Sequence, residues 1–229
     1  MKAKCFVFCW LWMIGCGLVA AQDIGINVHY AYTDALYWQS IVRAHNTTRE
    51  QLPDLRHAYG FGVDMGFALS YRLRLLPEIN YQRLGSSNAL TELSQQYLGA
   101  FVHLQLYPFG FGTQLHCPTF GQVPYGRSPQ SGFFLRFSVG GQTLWARTRR
   151  DGQQTTSPRT QTASIGLGMG YDWMPSERIS LTPILHLRYH PDLRISDYDK
   201  AITGTEVLNL RNSDEVLMFG CVLRLAYIL

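Results

Sequence analysis

Two stretches of this chain place ionisable side chains at alternate positions. In "LRLLPEINYQRL" (73–84) Arg74 and Glu78 share one phase, and in "ISLTPILHLRYH" (179–190) His186 and Arg188 do the same. Asp64, His103, Arg136 and Arg224 occupy the same polar phase of four other alternating stretches. Successive side chains of a strand point to opposite faces, so each set gathers on one side of a sheet. Carboxylates, guanidiniums and imidazoles on one face can relay protons, line an ion path, or pair with one another as a filling network. The pairs expected are Glu78 and Asp64 against Arg74, Arg136 and Arg224.

Other residues invite different chemistry. His190 and Asp192, or alternatively His57, could serve a lipid-directed enzyme at a barrel rim, although no serine–histidine motif accompanies them. "WARTRRDGQQTTSPRTQ" (145–161) carries Arg147, Arg149, Arg150 and Arg159, whose planar forks suit phosphates such as those of lipopolysaccharide. Asn46-Thr47-Thr48 matches a glycosylation sequon, a short pattern that arises easily by chance. Metal-ligand spacing, a phosphate loop and a nucleophile elbow are all absent from the sequence, so no cofactor or metal is expected.

The elements that must position these residues begin after residue 21. The opening "MKAKCFVFCWLWMIGCGLVAAQD" has Lys2 and Lys4, an apolar run from Cys5 to Gly15, and small residues before Gln22. That order reads as a secretory signal peptide over 1–21, and the run is too short to span a bilayer as a helix. "MIGC" is an alternative reading, a lipoprotein box that would make Cys16 a lipidated N-terminus. The remaining 22–229 is one domain's length. Its net charge falls from +4 to +2 once Lys2 and Lys4 are removed, too little to imply nucleic acid. Lys200 is the only lysine left in it, an unusual economy for a water-facing surface. Cys117 and Cys221 are read as free thiols, since pairing needs a proximity the sequence does not supply.

Helical periodicity is nearly absent after residue 22, and alternation predicts eight strands: 24–33, 57–71, 73–84, 95–109, 132–146, 161–173, 178–190 and 214–229. Several exceed ten residues, long for a soluble protein and suited to a tilted membrane strand of about 9–11 residues. One phase, exemplified by Tyr59, Phe61, Val63, Met65, Phe67 and Leu69, carries no charge across the strand centres. The other is mostly Gly, Ala, Ser and Asn with isolated charges of both signs. A soluble barrel would make its polar phase dense with Lys, Glu and Thr. Here the polar phase suits a cramped interior, and the apolar phase suits hydrocarbon. In lipid every backbone group must be paired, so the sheet must close into a barrel. Eight strands leave an interior that side chains can fill, which favours the ion-paired plug over an open pore. Tyr30, Tyr32, Tyr71, Tyr81, Tyr107, Tyr171, Trp173, Tyr189 and Tyr227 are expected in interfacial girdles.

The gaps between strands alternate long and short, with 34–56, 147–160 and 191–213 as outward loops and both termini periplasmic; 110–131 breaks the pattern. Pro77 and Pro183 each follow a Gly-x-Gly glycine by 17 residues (Gly60 and Gly166), which hints at a repeated hairpin. Both are expected at a bulge or strand start near the periplasmic rim, because proline cannot donate to the ladder.

With its signal peptide, dyad strands, Gly-x-Gly strands two and six, and the ending "CVLRLAYIL", the chain resembles the small outer-membrane β-barrels, the OmpA/OmpX-like eight-stranded domains, over essentially all of 22–229. The proline-bearing "LLPEINY" strand is similar to members from Bacteroidetes. The resemblance implies recognition of the last strand by the barrel-insertion machinery, although Leu229 stands where an aromatic residue is usual. It implies an all-β, up-and-down transmembrane barrel in a Gram-negative outer membrane, in contact with membrane lipid and lipopolysaccharide, acting structurally or binding an extracellular ligand through its outer loops. The alternatives are a narrow porin-like channel, a lipid-modifying enzyme and a soluble ligand-binding barrel.

Overall fold

The computed structural model describes residues 21–33, 56–70, 72–87, 91–108, 132–150, 153–156, 159–193 and 214–229. The expectations for residues 1–20, Asn46, Tyr71, Cys117, Lys200 and the 110–131 connection therefore lie outside the described residues.

Nine strands follow one another: β1 (Asp23–Thr33), β2 (His57–Ala68), β3 (Leu73–Ser87), β4 (Thr91–Leu106), β5 (Gly132–Arg150), β6 (Gln153–Thr156), β7 (Thr160–Ser176), β8 (Ile179–Leu193) and β9 (Asp214–Ile228). All pair antiparallel with their neighbours, and β9 returns to β1, so the sheet is closed. The short β6 pairs with the end of β5 from Arg147↔Thr156 to Arg150↔Gln153, and β7 takes over the same edge from Leu144↔Thr160. β6 and β7 thus form one interrupted stave, and the barrel has eight.

The stagger can be followed around the ring. Asp23 faces Gly66, which lies opposite Leu76 in the unbroken β2–β3 register. The path continues through His103, Ser138, Gly166, Arg188 and Met218 to Thr33. One lap from Asp23 ends at Thr33 on the same strand, ten residues on. Such a stagger tilts the strands, roughly 35–45° in barrels of this kind, while the count of eight strands keeps the lumen to side-chain width.

The two faces separate as their alternation predicts. Leu167, Phe61 and Val28 on the outer face are each more than 60% exposed, while Asp64 and Arg224 on the inner face are 1% exposed. Among the described residues, 27 large apolar or aromatic side chains are exposed. Leaving one Val, Leu or Phe in water forgoes about 1.5–3 kcal/mol. A wall of them would cost tens of kcal/mol by that measure, so hydrocarbon is the medium that stabilises this surface. Cys221 lies on the outer face as a free thiol.

Several local expectations need correction. The strands run beyond the predicted bounds at the end opposite the termini. β3 and β4 stay paired to Ser87↔Glu92, where a loop over 85–94 was expected. The predicted loop 147–160 is largely strand, with Arg147, Arg149 and Arg150 on β5, and Arg159 just before β7. The polar alternation there looked like a loop because no apolar phase is needed above the membrane.

Neither proline sits at a bulge. Pro77 pairs with Val102 on its β4 side, and the β2 ladder resumes in unchanged register from Asp64↔Glu78 to Phe67↔Leu75. Pro183 behaves alike, pairing with Leu223 while β7–β8 passes from Gly170↔Ile184 to Trp173↔Leu181. Each interrupts one ladder only, on the side where its N–H is missing. The two hairpins are four staves apart, so the gaps lie on opposite walls.

Candidate functional site in the barrel lumen

The lumen is built from the inward phases of all eight staves, and all eight sequence-predicted charged residues lie in it: Asp64, Arg74, Glu78, His103, Arg136, His186, Arg188 and Arg224, none more than 9% exposed. They form tiers.

Nearest the termini, Arg224 on β9 binds Asp64 on β2 with Nε donating at 2.8 Å and Nη2 at 2.6 Å. The same Nη2 reaches Asp23 on β1, and Arg74 on β3 reaches Asp23 from the other side. Arg74 also lies 3.8 Å from Asp172 on β7, whose carboxylate accepts from the hydroxyls of Tyr107 and Thr182. Gly25 makes this tier possible, since a Cβ there would lie 2.6 Å from Arg224 Nε and 2.7 Å from Asp64 Oδ1.

In the middle, Glu78 is the hub. It accepts from Asn80 Nδ2 at 2.5 Å, Asn27 Nδ2 at 3.1 Å and Arg136 Nη2 at 3.3 Å. His29 and His103 approach with Nε2 at 3.4 and 3.2 Å, without hydrogen-bond geometry. Asn27 also donates to Asp64 at 2.8 Å and so ties this tier to the one below. His103 Nδ1 is 2.7 Å from Ser138 Oγ.

Above Glu78, the Arg188 guanidinium from β8 lies 4.0 Å over the Phe101 ring of β4, and the His103 ring is stacked near that ring at 6.0 Å. Phe101 rests against the wall where Gly99 and Gly140 leave room: a Cβ at either would come within 2.4 Å of the ring. Beyond it, Gln142 and His190 meet at 3.3 Å.

Of the expected pairs, Asp64–Arg224 and Glu78–Arg136 are in contact, whereas Arg74 turns to Asp23 and Asp172. Asp23 was missed because the first strand begins one residue earlier than its apolar run suggests. Asp172, Asn27 and His29 were visible on the inward phase but had no assigned partners. Tyr107 was expected in one of the two interfacial girdles and instead is 3% exposed, packed among Phe134, Ile184 and Val222. It follows the last β4 residue and keeps the inward phase, and its hydroxyl has Asp172 to bond.

The lumen's four guanidiniums, Arg74, Arg136, Arg188 and Arg224, are matched among the described residues by four carboxylates, Asp23, Asp64, Glu78 and Asp172. Equal numbers at close range are what a low-dielectric interior requires. A closed barrel with hydrocarbon-compatible residues outside and paired charges inside has one fitting solvent, a lipid bilayer. The chain is an eight-stranded outer-membrane-type β-barrel.

No family model matches this barrel's sequence, and no curated protein matches it. Among solved structures it is similar to Neisserial surface protein A (10% identity, 90% of this chain and 96% of that one, TM-score 0.47). It is also similar to Ail, the attachment invasion locus protein of Yersinia pestis (10% identity, 90% and 98%, TM-score 0.48). A third is the N-terminal β-barrel domain of Pseudomonas aeruginosa OprF (14% identity, 89% and 98%, TM-score 0.39).

The barrel holds the histidines considered for catalysis apart. His190 is fully buried in the lumen, while His57 faces outward with Nδ1 2.7 Å from the Tyr30 hydroxyl. The side chain of Asp192 lies outside the described residues.

Proposed function

We propose that this barrel is closed by its own side chains and works at the outer membrane through its exterior surface, as a structural and surface-interaction protein rather than as a channel or an enzyme. The observation that carries this reading is the burial of the lumen charges in the contacts described above. An open aqueous path would leave them wet. Here the guanidiniums and carboxylates fill the cross-section, and Arg188 reaches from β8 to Phe101 on β4.

The first and last described residues lie together at one end, where Leu229 N–H donates to Gln22 C=O at 2.9 Å. We place that end in the periplasm. At the other end β3, β4, β5 and β6 continue as a paired sheet past the apolar band, which supports an outward role for it. The outward phase of β9, with Leu223, Leu225 and Tyr227, is the segment offered to the insertion machinery.

The test is planar-bilayer recording on the folded barrel. A silent bilayer at protein amounts where a control porin gives discrete steps is the expected result. Reproducible unitary steps that disappear on boiling the protein would defeat the closed-lumen reading.

A further inference from the structure

One register row on the outer face joins residues far apart in sequence: Tyr30 faces Tyr59, Tyr59 faces Arg83, Arg83 faces Gln96, and Gln96 faces Trp145. The neighbouring row toward the termini is Val28, Phe61, Tyr81 and Leu98, the edge of the lipid-facing band. The row therefore borders that band, and the ten-residue stagger makes it climb around the barrel from Tyr30 toward Trp145.

We propose that the outer face at this row is a binding site for the phosphorylated headgroup of a glycolipid, with Arg83, Arg147 and Arg159 as the anion-binding side chains around Trp145. The proposal rests on the reading that this end of the barrel faces outward.

The site is built rather than merely charged. Trp145 Nε1 donates to Gln96 Oε1 at 2.9 Å, and Gln96 is only 7% exposed, so the indole is pinned to the wall. The Arg159 guanidinium lies 5.8 Å over that ring. Stacking uses the face of a guanidinium and leaves its in-plane N–H donors for oxygen acceptors, the geometry in which arginine binds phosphate. Arg147 is exposed two residues beyond Trp145 on the same face. Arg83 is half exposed and is paired with Glu92 at 2.6 Å. Among the described residues Glu92 is the one carboxylate of this group, so its three guanidiniums outnumber it beside the apolar band. Further along the row the Tyr30 and Tyr59 rings lie 5.3 Å apart at a 52° tilt, and His57 stacks on Tyr30 at 5.9 Å, an aromatic patch on the same outer face. A lipid is favoured over a free phosphate because the arginines adjoin the apolar band, so acyl chains and phosphates can be held at once.

The experiment is native mass spectrometry of the full barrel released from detergent, with three probes: bis-phosphorylated lipid A, its dephosphorylated form, and inorganic pyrophosphate. Wild type is expected to bind bis-phosphorylated lipid A at least ten-fold tighter than the dephosphorylated form. The triple variant Arg83→Gln/Arg147→Gln/Arg159→Gln is expected to lose that preference, whereas Arg178→Gln at the opposite end keeps it. Trp145→Phe, which removes the Gln96 bond, is expected to fall between. Heat-dependent mobility on a gel shows whether each variant is folded. An unchanged preference in the folded triple variant overturns the site, as does equal loss in Arg178→Gln. Pyrophosphate competing as well as the lipid overturns the glycolipid assignment. Orientation is read separately, by membrane-impermeant maleimide labelling of Gln153→Cys in a Cys117→Ser/Cys221→Ser background on intact cells, with that background alone as the blank. No labelling refutes the outward reading even if lipid binds in vitro, whereas labelling without lipid preference refutes the site alone.

Discussion

Asp23, on the first strand, and Arg224, on the last, meet inside the barrel where the wall closes on itself. Arg74 from the third strand shares the same carboxylate. One aspartate thus draws together three staves at the seam, the place where a closed sheet could unzip.

Replacing Asp23 with Asn should weaken the barrel more than its single lost charge suggests. Two guanidiniums would be left competing for Asp64 and Asp172 in a buried space, and breaking a buried pair costs about 3–5 kcal/mol. The check is the urea midpoint of the heat-modifiable folded band. A midpoint equal to wild type would show that Asp23 is not holding the seam.

Gly99 and Gly140 should not tolerate alanine. Each added Cβ would come within 2.4 Å of the Phe101 ring, and overpacking a tight interior costs about 1–3 kcal/mol. Phe101→Leu should recover most of that loss for Gly99→Ala, because a smaller side chain frees the same space. The check is a double-mutant cycle of unfolding free energies, in which purely additive effects would mean the ring is not what the glycines accommodate.

On the lipid face, Leu167→Arg should impair insertion by about 2–4 kcal/mol, while Leu167→Ala should be mild. Leu167 is 63% exposed and sits in a band without charges, so it faces hydrocarbon. The comparison is the yield of folded protein after refolding into vesicles. An arginine as harmless as the alanine would mean that this face meets water.

Cys221 offers a test of depth. It is exposed on the outer face of β9 beside Phe219 and Leu223, and should resist a water-soluble thiol reagent in vesicles yet react once the chain is unfolded in urea. In a Cys117→Ser background, fast labelling in intact vesicles would remove it from the membrane-facing band.

Much of this protein was legible along the chain. Alternation in β2, from Tyr59 to Phe67, announces a strand with one uncharged face, and the rarity of lysine shows that face is not meant for water. A period of two assigns Arg74, Glu78, Arg188 and Arg224 to a common side without any knowledge of the fold. The strand ends above the membrane were not legible in the same way. Between Trp145 and Gln161 no apolar phase distinguishes strand from loop, and pairing of β5 with β6 decides the matter. Pro77 and Pro183 looked like markers of bulges, but a proline need break only the ladder on its N–H side.

Which charges meet was beyond the sequence. Asp23 and Arg224 lie at opposite ends of the chain, and the outer row from Tyr30 to Trp145 collects residues from five strands. Side-chain direction is a local property, set by the backbone's pleat, and so is written residue by residue. Partnership depends on register and on the ten-residue stagger around the closed ring. Only closure of the barrel fixes those quantities, because backbone pairing around the whole circumference must be satisfied at once.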